Sequence, residues 1–240
     1  MKKYKFEPFP DLPYSSKAGV RYYEVNGQFY PSITTAIGRQ RSKQKGLQEW
    51  RDRVGEDAAK HISRTAAVRG TAFHTLCEEY VNGNDIEHLK SKHFLAWHMF
   101  GELKSHINEH LDGVVLQETT MYSDEYRVAG RSDLIAEWDG KLSIVDYKTT
   151  TKMKKPEWIQ DYFVQCAAYA KMFEEHTGYP VDDLVIAMVA EDGQVELFKS
   201  ETELHLDTLS ETMDEFYDTT LSDLAASYKY YLFLKEEINT

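Results

Sequence analysis

Asp133, Asp146 and Lys148 are the residues of this chain whose types and spacing suit chemistry on a phosphate. They fall within YRVAGRSDLIAEWDGKLSIVDYKTT, residues 126–150. Val128, Leu134, Ile135, Ala136 and Trp138 precede Asp139-Gly140, and Leu142, Ile144 and Val145 follow it. Asp-Gly between two apolar runs is a strong hairpin signal. Asp133 then lies in the first strand, and Asp146 and Lys148 at the end of the second. Strand side chains alternate between faces, so Asp146 and Lys148 share one. Pairing across the turn brings Asp133 near Asp146. Adjoining carboxylates disfavour each other's ionisation, and a divalent cation removes that conflict. Mg²⁺ commonly takes one or two carboxylates and completes its shell with water and phosphate oxygens. Lys148, one pleat along, is within reach of such a water or phosphate. The set suits metal-assisted hydrolysis of a phosphodiester. D-x-K alone is more often a solvated charge pair; here the apolar strand and the second acid across the hairpin favour a site.

Three more motifs frame this one. Gly130 and Asp133 form G-x-x-D, Gln165 and Tyr169 form Q-x-x-x-Y, and RGTAFH carries His74 upstream. In this order, over roughly residues 30–200, they resemble the PD-(D/E)xK nuclease superfamily. More narrowly they resemble its RecB-type branch, with exonucleases of phages and of mitochondrial genome maintenance as the most similar members. The resemblance implies an α/β, restriction-endonuclease-like core: a central mixed β-sheet flanked by helices, with an N-terminal helical extension. It implies His74, Asp133, Asp146 and the backbone carbonyl of Tyr147 as ligands of one or two Mg²⁺ or Mn²⁺ ions. Gln165 and Tyr169 would hold the lysine, the water or the substrate strand. The expected activity is a DNA exonuclease of phage-type replication, recombination or repair, acting on DNA with a free end or a single strand. The alternatives are an inactive nuclease-fold DNA-binding protein and a structure-specific endonuclease. Some RecB-type relatives hold an iron–sulfur cluster on four cysteines. Cys77 and Cys166 are the two in this chain, so no cluster is expected.

The elements that position these groups follow from periodicity. Residues 65–82 read as a helix with Ala67, Phe73, Leu76, Cys77, Tyr80 and Val81 on its apolar side. His74 and Glu78, four apart, share a face, which makes Glu78 a candidate to orient the imidazole. Glu118 lies in a strand over 114–122, either as an acid near the site or as a solvent-facing glutamate. After Lys148 comes a basic loop whose Thr149, Lys152 and Lys154 stand to clamp a DNA backbone, and Pro156 opens a helix to about 176. That helix carries Gln165 and Tyr169, pointing together at the Lys148 end. Gly178 ends it, and residues 183–190 and 194–199 form a last hairpin around Asp192-Gly193.

Upstream, residues 1–20 read as an extended arm. Asn26-Gly27 turns a small hairpin, and Ser32 or Thr34 caps a short helix ending near Gly38. Residues 39–46 read as a basic loop. Residues 46–63 read as a helix whose Leu47, Trp50, Val54, Ala58 and Ile62 form one core-facing stripe. Arg51 on this helix, with Arg69 and Arg131, is a candidate for phosphate contact. The helix over 87–110 carries Phe94, Trp97, Phe100, Leu103 and Ile107. Its His88, His93, His98 and His106 do not repeat four apart and read as surface residues rather than a zinc site. Residues 201–236 read as a C-terminal helix with an aromatic end at Tyr228, Tyr230, Tyr231 and Phe233.

Composition sets the limits. With 240 residues and 42% apolar content, the chain is expected to form one nuclease domain: an N-terminal arm and helical part over 1–110, a catalytic core over 111–200 and the final helix. No apolar run is long enough to span a membrane, and the start lacks a signal or transit pattern, so a cytoplasmic location is expected. No P-loop appears, so no nucleotide-driven motor is expected in this chain. The net charge of −12 is unevenly spread: residues 39–69 hold nine Lys/Arg against four acids, and residues 174–240 hold seventeen acids against three lysines. Phosphate contact needs a basic local surface rather than a basic chain.

Overall fold

A computed structural model describes residues 6–17 and 19–220. Its centre is a five-stranded mixed sheet in the order β4 (Leu111–Ser123), β5 (Val128–Trp138), β6 (Lys141–Thr150), β7 (Asp183–Ala190) and β8 (Val195–Glu201). Neighbours pair antiparallel except β6 and β7, which are parallel and joined through α5 (Gln160–Thr177). Asp139 and Gly140 both adopt positive φ, 51° and 75°, and close the β5–β6 hairpin with Trp138 opposite Lys141. That is the backbone a two-residue primed turn requires. β5, β6 and β7 are buried almost throughout, because helices cover both faces of the sheet.

One face packs Ile135, Ile144 and Ile186 against Phe163, Val164 and Phe173 of α5. The other packs Leu134, Val145 and Val185 against Phe73 and Leu76 of α3 (Glu56–Val81) and Phe100 and Leu103 of α4 (Phe94–His110). Cys77 and Cys166 are buried and unpaired. Gly178, at φ 74°, ends α5 in the left-handed conformation. No helix among the described residues is long and apolar enough to cross a membrane.

Before the sheet, Asn26-Gly27 turns the hairpin between β2 (Val20–Val25) and β3 (Gln28–Pro31). A strand not foreseen in the arm, β1 (Tyr14–Lys17), pairs with β2. Phe6, earlier in the arm, meets Phe173 and Tyr179 edge-on at 5.1 and 5.4 Å. The hydroxyl of Ser32 accepts the Thr35 N–H at 3.2 Å and caps α1 (Ile33–Arg39).

Four expectations need correction. Residues 39–46 are not a loop: α2 (Arg41–Val54) begins at Arg41. The helix expected over 46–63 is broken at Gly55, whose φ of 87° suits glycine, and α3 starts after it. The foreseen stripe is not core-facing: α2 buries no residue, and Leu47 and Ile62 are 36% and 49% exposed. Phe94 is 76% exposed, because α4 begins there and the preceding turn, Glu87–Leu89, is separate. The periodicity is genuine, but among the described residues Leu47, Ile62 and Phe94 remain exposed. A fifth correction concerns the histidines of α4: His110, where the helix ends as expected, stands four residues after His106, so the helix does carry a spaced histidine pair. After β8 a helix, α6, covers 206–220; the aromatic group at 228–233 lies outside the described residues.

Candidate active site

The β5–β6 ladder ends at the Leu134–Val145 rung, and Asp133 and Asp146 stand on the next. There the strands part. The Tyr147 N–H is accepted at 2.9 Å by Asp133 Oδ2 rather than by a backbone carbonyl. Asp133 Oδ1 lies 3.3 Å from His74 Nδ1 on α3. Across the other edge of β5, the register of Gln117 with Leu134 and Thr119 with Ser132 sets Glu118 opposite Asp133. Glu118 has φ 47°, a left-handed backbone that costs a non-glycine residue about 1–3 kcal/mol. Ligand atoms of His74, Glu118 and Asp133 all lie within 4.8 Å of one another. With Gly70, Thr71, Thr75, Glu78 and Arg131 they line an opening of about 430 Å³.

Asp146 is 1% exposed and forms an ion pair with Lys148. Its Oδ1 accepts the Gln165 amide at 3.0 Å, and the same amide nitrogen lies 3.2 Å from the Tyr169 hydroxyl. Gln165 and Tyr169 are thus one turn apart on α5 and act together, as foreseen, but they reach Asp146 rather than Lys148. Gly130 of G-x-x-D explains itself here. A Cβ at that position would stand 2.6 Å from Tyr169 Cε1 and 3.2 Å from Ile33 Cγ2, so only glycine lets the tyrosine ring approach the strand.

The electrostatics are those of crowded acids. Burial, then the Asp133 charge, pushes Glu118 up to about 7. Burial and Asp133 likewise push Asp146 up to about 6, against the pull of Lys148. Burial alone would raise Asp133, but the His74 imidazolium, Lys148 and the Tyr147 N–H hold it below the usual range. Burial would lower His74, and the Asp133 carboxylate outweighs it and raises it. Burial also disfavours the Lys148 ammonium; Asp146 and Asp133 outweigh that and keep it charged well above neutral pH. Two carboxyls pushed up by burial and by a third beside them are what a divalent cation would relieve. Oxygen donors with one imidazole suit Mg²⁺, and the nitrogen favours Mn²⁺ tolerance. The donor set therefore fits such an ion.

The other foreseen residues divide. Arg131 lines the opening and donates to Glu118 Oε2 at 2.7 Å. Glu78 lines it too, but the carboxylate that meets His74 Nδ1 is that of Asp133. The side chain of Tyr147 is buried on the α3–α4 side, and its ring lies edge-on to His74. Arg69 is not a free phosphate donor: its side chain is 8% exposed, pairs with Glu191 and donates to Thr149 Oγ1 at 3.2 Å. It ties α3 to the ends of β6 and β7. Thr149 is thereby engaged, and Lys152 is exposed on the loop. Lys154 donates to the Tyr162 hydroxyl at 2.6 Å. Arg51 stands on α2 and is not among the residues lining the opening.

One residue the sequence reading passed over belongs here. Lys148 Nζ lies 5.0 Å from the centre of the Tyr162 ring, and Lys154 Nζ lies 4.8 Å from it. Tyr162, Gln165 and Tyr169 fall three and four residues apart, one face of α5. That spacing was the available signal.

A profile of the PD-(D/E)XK nuclease superfamily matches residues 42–230. The human mitochondrial genome maintenance exonuclease 1 is 27% identical over 158 residues, covering 62% of this chain and 45% of its own. Its counterpart from Xenopus tropicalis is 25% identical over 178 residues, covering 70% and 50%. The chain therefore spans about half the length of these relatives. Among solved structures, an exonuclease candidate from Eubacterium rectale superposes with a TM-score of 0.44 at 12% identity, covering 62% of this chain and 66% of its own.

Proposed function

The chain belongs to the PD-(D/E)XK nuclease superfamily, and on that premise we propose that it is a metal-dependent DNA exonuclease. One observation carries this reading: His74, Glu118 and Asp133 converge beside a buried Asp146–Lys148 pair at the open end of one hairpin. His74, Asp133 and Asp146 would hold Mg²⁺ or Mn²⁺, with Glu118 at the same opening and the Tyr147 carbonyl as a further donor. A divalent ion bound there acidifies water and polarises a phosphoryl oxygen. Lys148, kept charged by Asp146, offsets negative charge building on the phosphate. Gln165 and Tyr169 fix the orientation of Asp146. Arg131 at the opening, with Lys152 and Lys154 on the loop after β6, would meet the DNA backbone. Exonuclease rather than endonuclease action rests on the names of the relatives, and a role in phage-type DNA metabolism rests on the motif resemblance.

The test compares linear end-labelled DNA with covalently closed circular DNA in Mg²⁺, Mn²⁺ or EDTA. Stepwise loss of label from linear DNA with either metal, and intact circles, is the expected result. Rapid cutting of circles would overturn the exonuclease reading in favour of an endonuclease. Binding without cleavage in any metal would favour an inactive DNA-binding protein.

A further inference from the structure

A second group of metal-ligating side chains lies elsewhere, at the end of α4. His106 and His110 are one turn apart, and with Glu109 they present ligand atoms all within 4.8 Å of one another. The two imidazoles are stacked, with centroids 6.2 Å apart and planes 6° apart. The outer face of His110 lies against Trp138, at 5.7 Å and 15°. His110 Nδ1 is 2.7 Å from Asp139 Oδ1 at the β5–β6 turn. Asp139 also accepts from Lys199 Nζ at 2.6 Å, and these two hydrogen bonds, Lys199 first, hold its carboxyl below the usual range. An ionised carboxylate only accepts, so this contact engages Nδ1 as the donor and leaves Nε2 as the ring nitrogen available to a metal. Nε2 is the atom facing Glu109, 4.0 Å from Oε2.

We propose that His106, Glu109 and His110, with Asp139 orienting His110, form a binding site for one Zn²⁺-class cation. Two imidazoles and one carboxylate select borderline ions such as Zn²⁺ over Mg²⁺. Three protein ligands leave the fourth tetrahedral position to water. The Asp139–His110 pair is the carboxylate–histidine arrangement that fixes the tautomer and strengthens a metal-bound imidazole. Tetrahedral donors around zinc sit roughly 3.3 Å apart, so on binding the imidazoles would turn out of their near-parallel arrangement and the three side chains close inward. All three project from the last turn of one helix, and two are half-buried. The bound ion joins the end of α4 to the turn of the hairpin that carries Asp133 and Asp146 at its other end. This site stands apart from the nuclease reading and does not depend on it.

The experiment titrates Zn²⁺ into the metal-stripped full chain under saturating Mg²⁺. It uses wild type, His106→Ala, His106→Gln, His110→Ala and Asp139→Asn, with circular dichroism confirming the fold of each. Wild type is expected to bind one more Zn²⁺ equivalent than the three histidine variants. Asp139→Asn is expected to bind that equivalent 10–100-fold more weakly. Co²⁺ in the same site should give the intense visible absorption of a four-coordinate ion, and lose it in His106→Gln. Mg²⁺-dependent activity should be unchanged in His106→Ala. Equal Zn²⁺ stoichiometry and affinity in wild type and the histidine variants would overturn the proposal, and would leave the ring stack on Trp138 as packing alone.

Discussion

Two histidine–aspartate pairs bracket strand β5, one with Asp133 inside the strand and one with Asp139 just past its end. They are chemically alike and environmentally opposite. His74 and Asp133 are walled in by Glu118, Asp146 and Lys148, and the carboxyls there are displaced from their ordinary titration ranges. His110 and Asp139 lie at an open turn, where Lys199 supplies a compensating charge and a second imidazole stands alongside. The first pair sits in a surplus of buried negative charge and calls for a hard divalent cation. The second pair is already balanced and offers nitrogen donors. The lesson is that burial and neighbouring charge, more than the pair itself, decide which chemistry a histidine and an aspartate support.

The comparison breaks most visibly at Lys148, an ammonium paired with the buried Asp146, where the second pair has the exposed Lys199 on Asp139 itself. Lys148→Ala should retain the fold and metal binding and lose turnover by about 10²–10³. Near-wild-type turnover would remove the lysine from the reaction. Gly130→Ala should force the Tyr169 ring away and destabilise the fold by about 1–3 kcal/mol, as overpacking does, read as a lower melting temperature. The matching Ala substitution at Gly140 meets no atom within 4 Å and suffers only its strained φ, so it should leave the active site's metal affinity alone.

pH sharpens the contrast further. With Asp146 near 6 and Glu118 near 7, protons compete with the cation below those values. Mn²⁺ affinity should fall as pH drops below about 7, steeply below 6, and level off above 7. The stability sign follows from the same shifts. Both folded values lie above the unfolded reference of about 4, so the metal-free fold loses stability as pH rises from about 4 to 7, and bound cation restores it. A pH-independent Mn²⁺ affinity between 5 and 8 would contradict this. The smallest effect is expected at Tyr162. Removing its ring with Tyr162→Leu withdraws a cation–π contact worth about 0.5–2 kcal/mol, a loss of several-fold in turnover, and Tyr162→Phe should recover most of it. Equal losses in both variants would assign the effect to the hydroxyl that accepts from Lys154 rather than to the ring.

Much of this geometry was legible in the letters. Asp139-Gly140 fixed the turn, alternation put Asp146 and Lys148 together, and the apolar runs marked strands covered on both faces. Q-x-x-x-Y announced a helical face, and that face proved to hold Asp146. What stayed hidden depends on tertiary surroundings. Nothing in the sequence shows that Glu118 adopts a left-handed backbone, or that Arg69 is consumed by Glu191. The stripe on α2 looked like core because periodicity records a face, not what lies opposite it. Gly55 was the one local sign that the helix would break. His110 escaped although the expected helix already ended on it, because the histidines weighed stopped at His106 and so missed the pair four apart.

The central claim is that the Mg²⁺ or Mn²⁺ that supports hydrolysis lodges at Asp133, whereas the turn by Asp139 takes no part in it. Calorimetric titration of Mn²⁺ into wild type, Asp133→Asn and Asp139→Asn, with DNA hydrolysis followed in parallel, tests it most directly. The account expects Asp133→Asn to lose both binding and hydrolysis while Asp139→Asn keeps both. Unchanged Mn²⁺ affinity and cleavage in Asp133→Asn would contradict it.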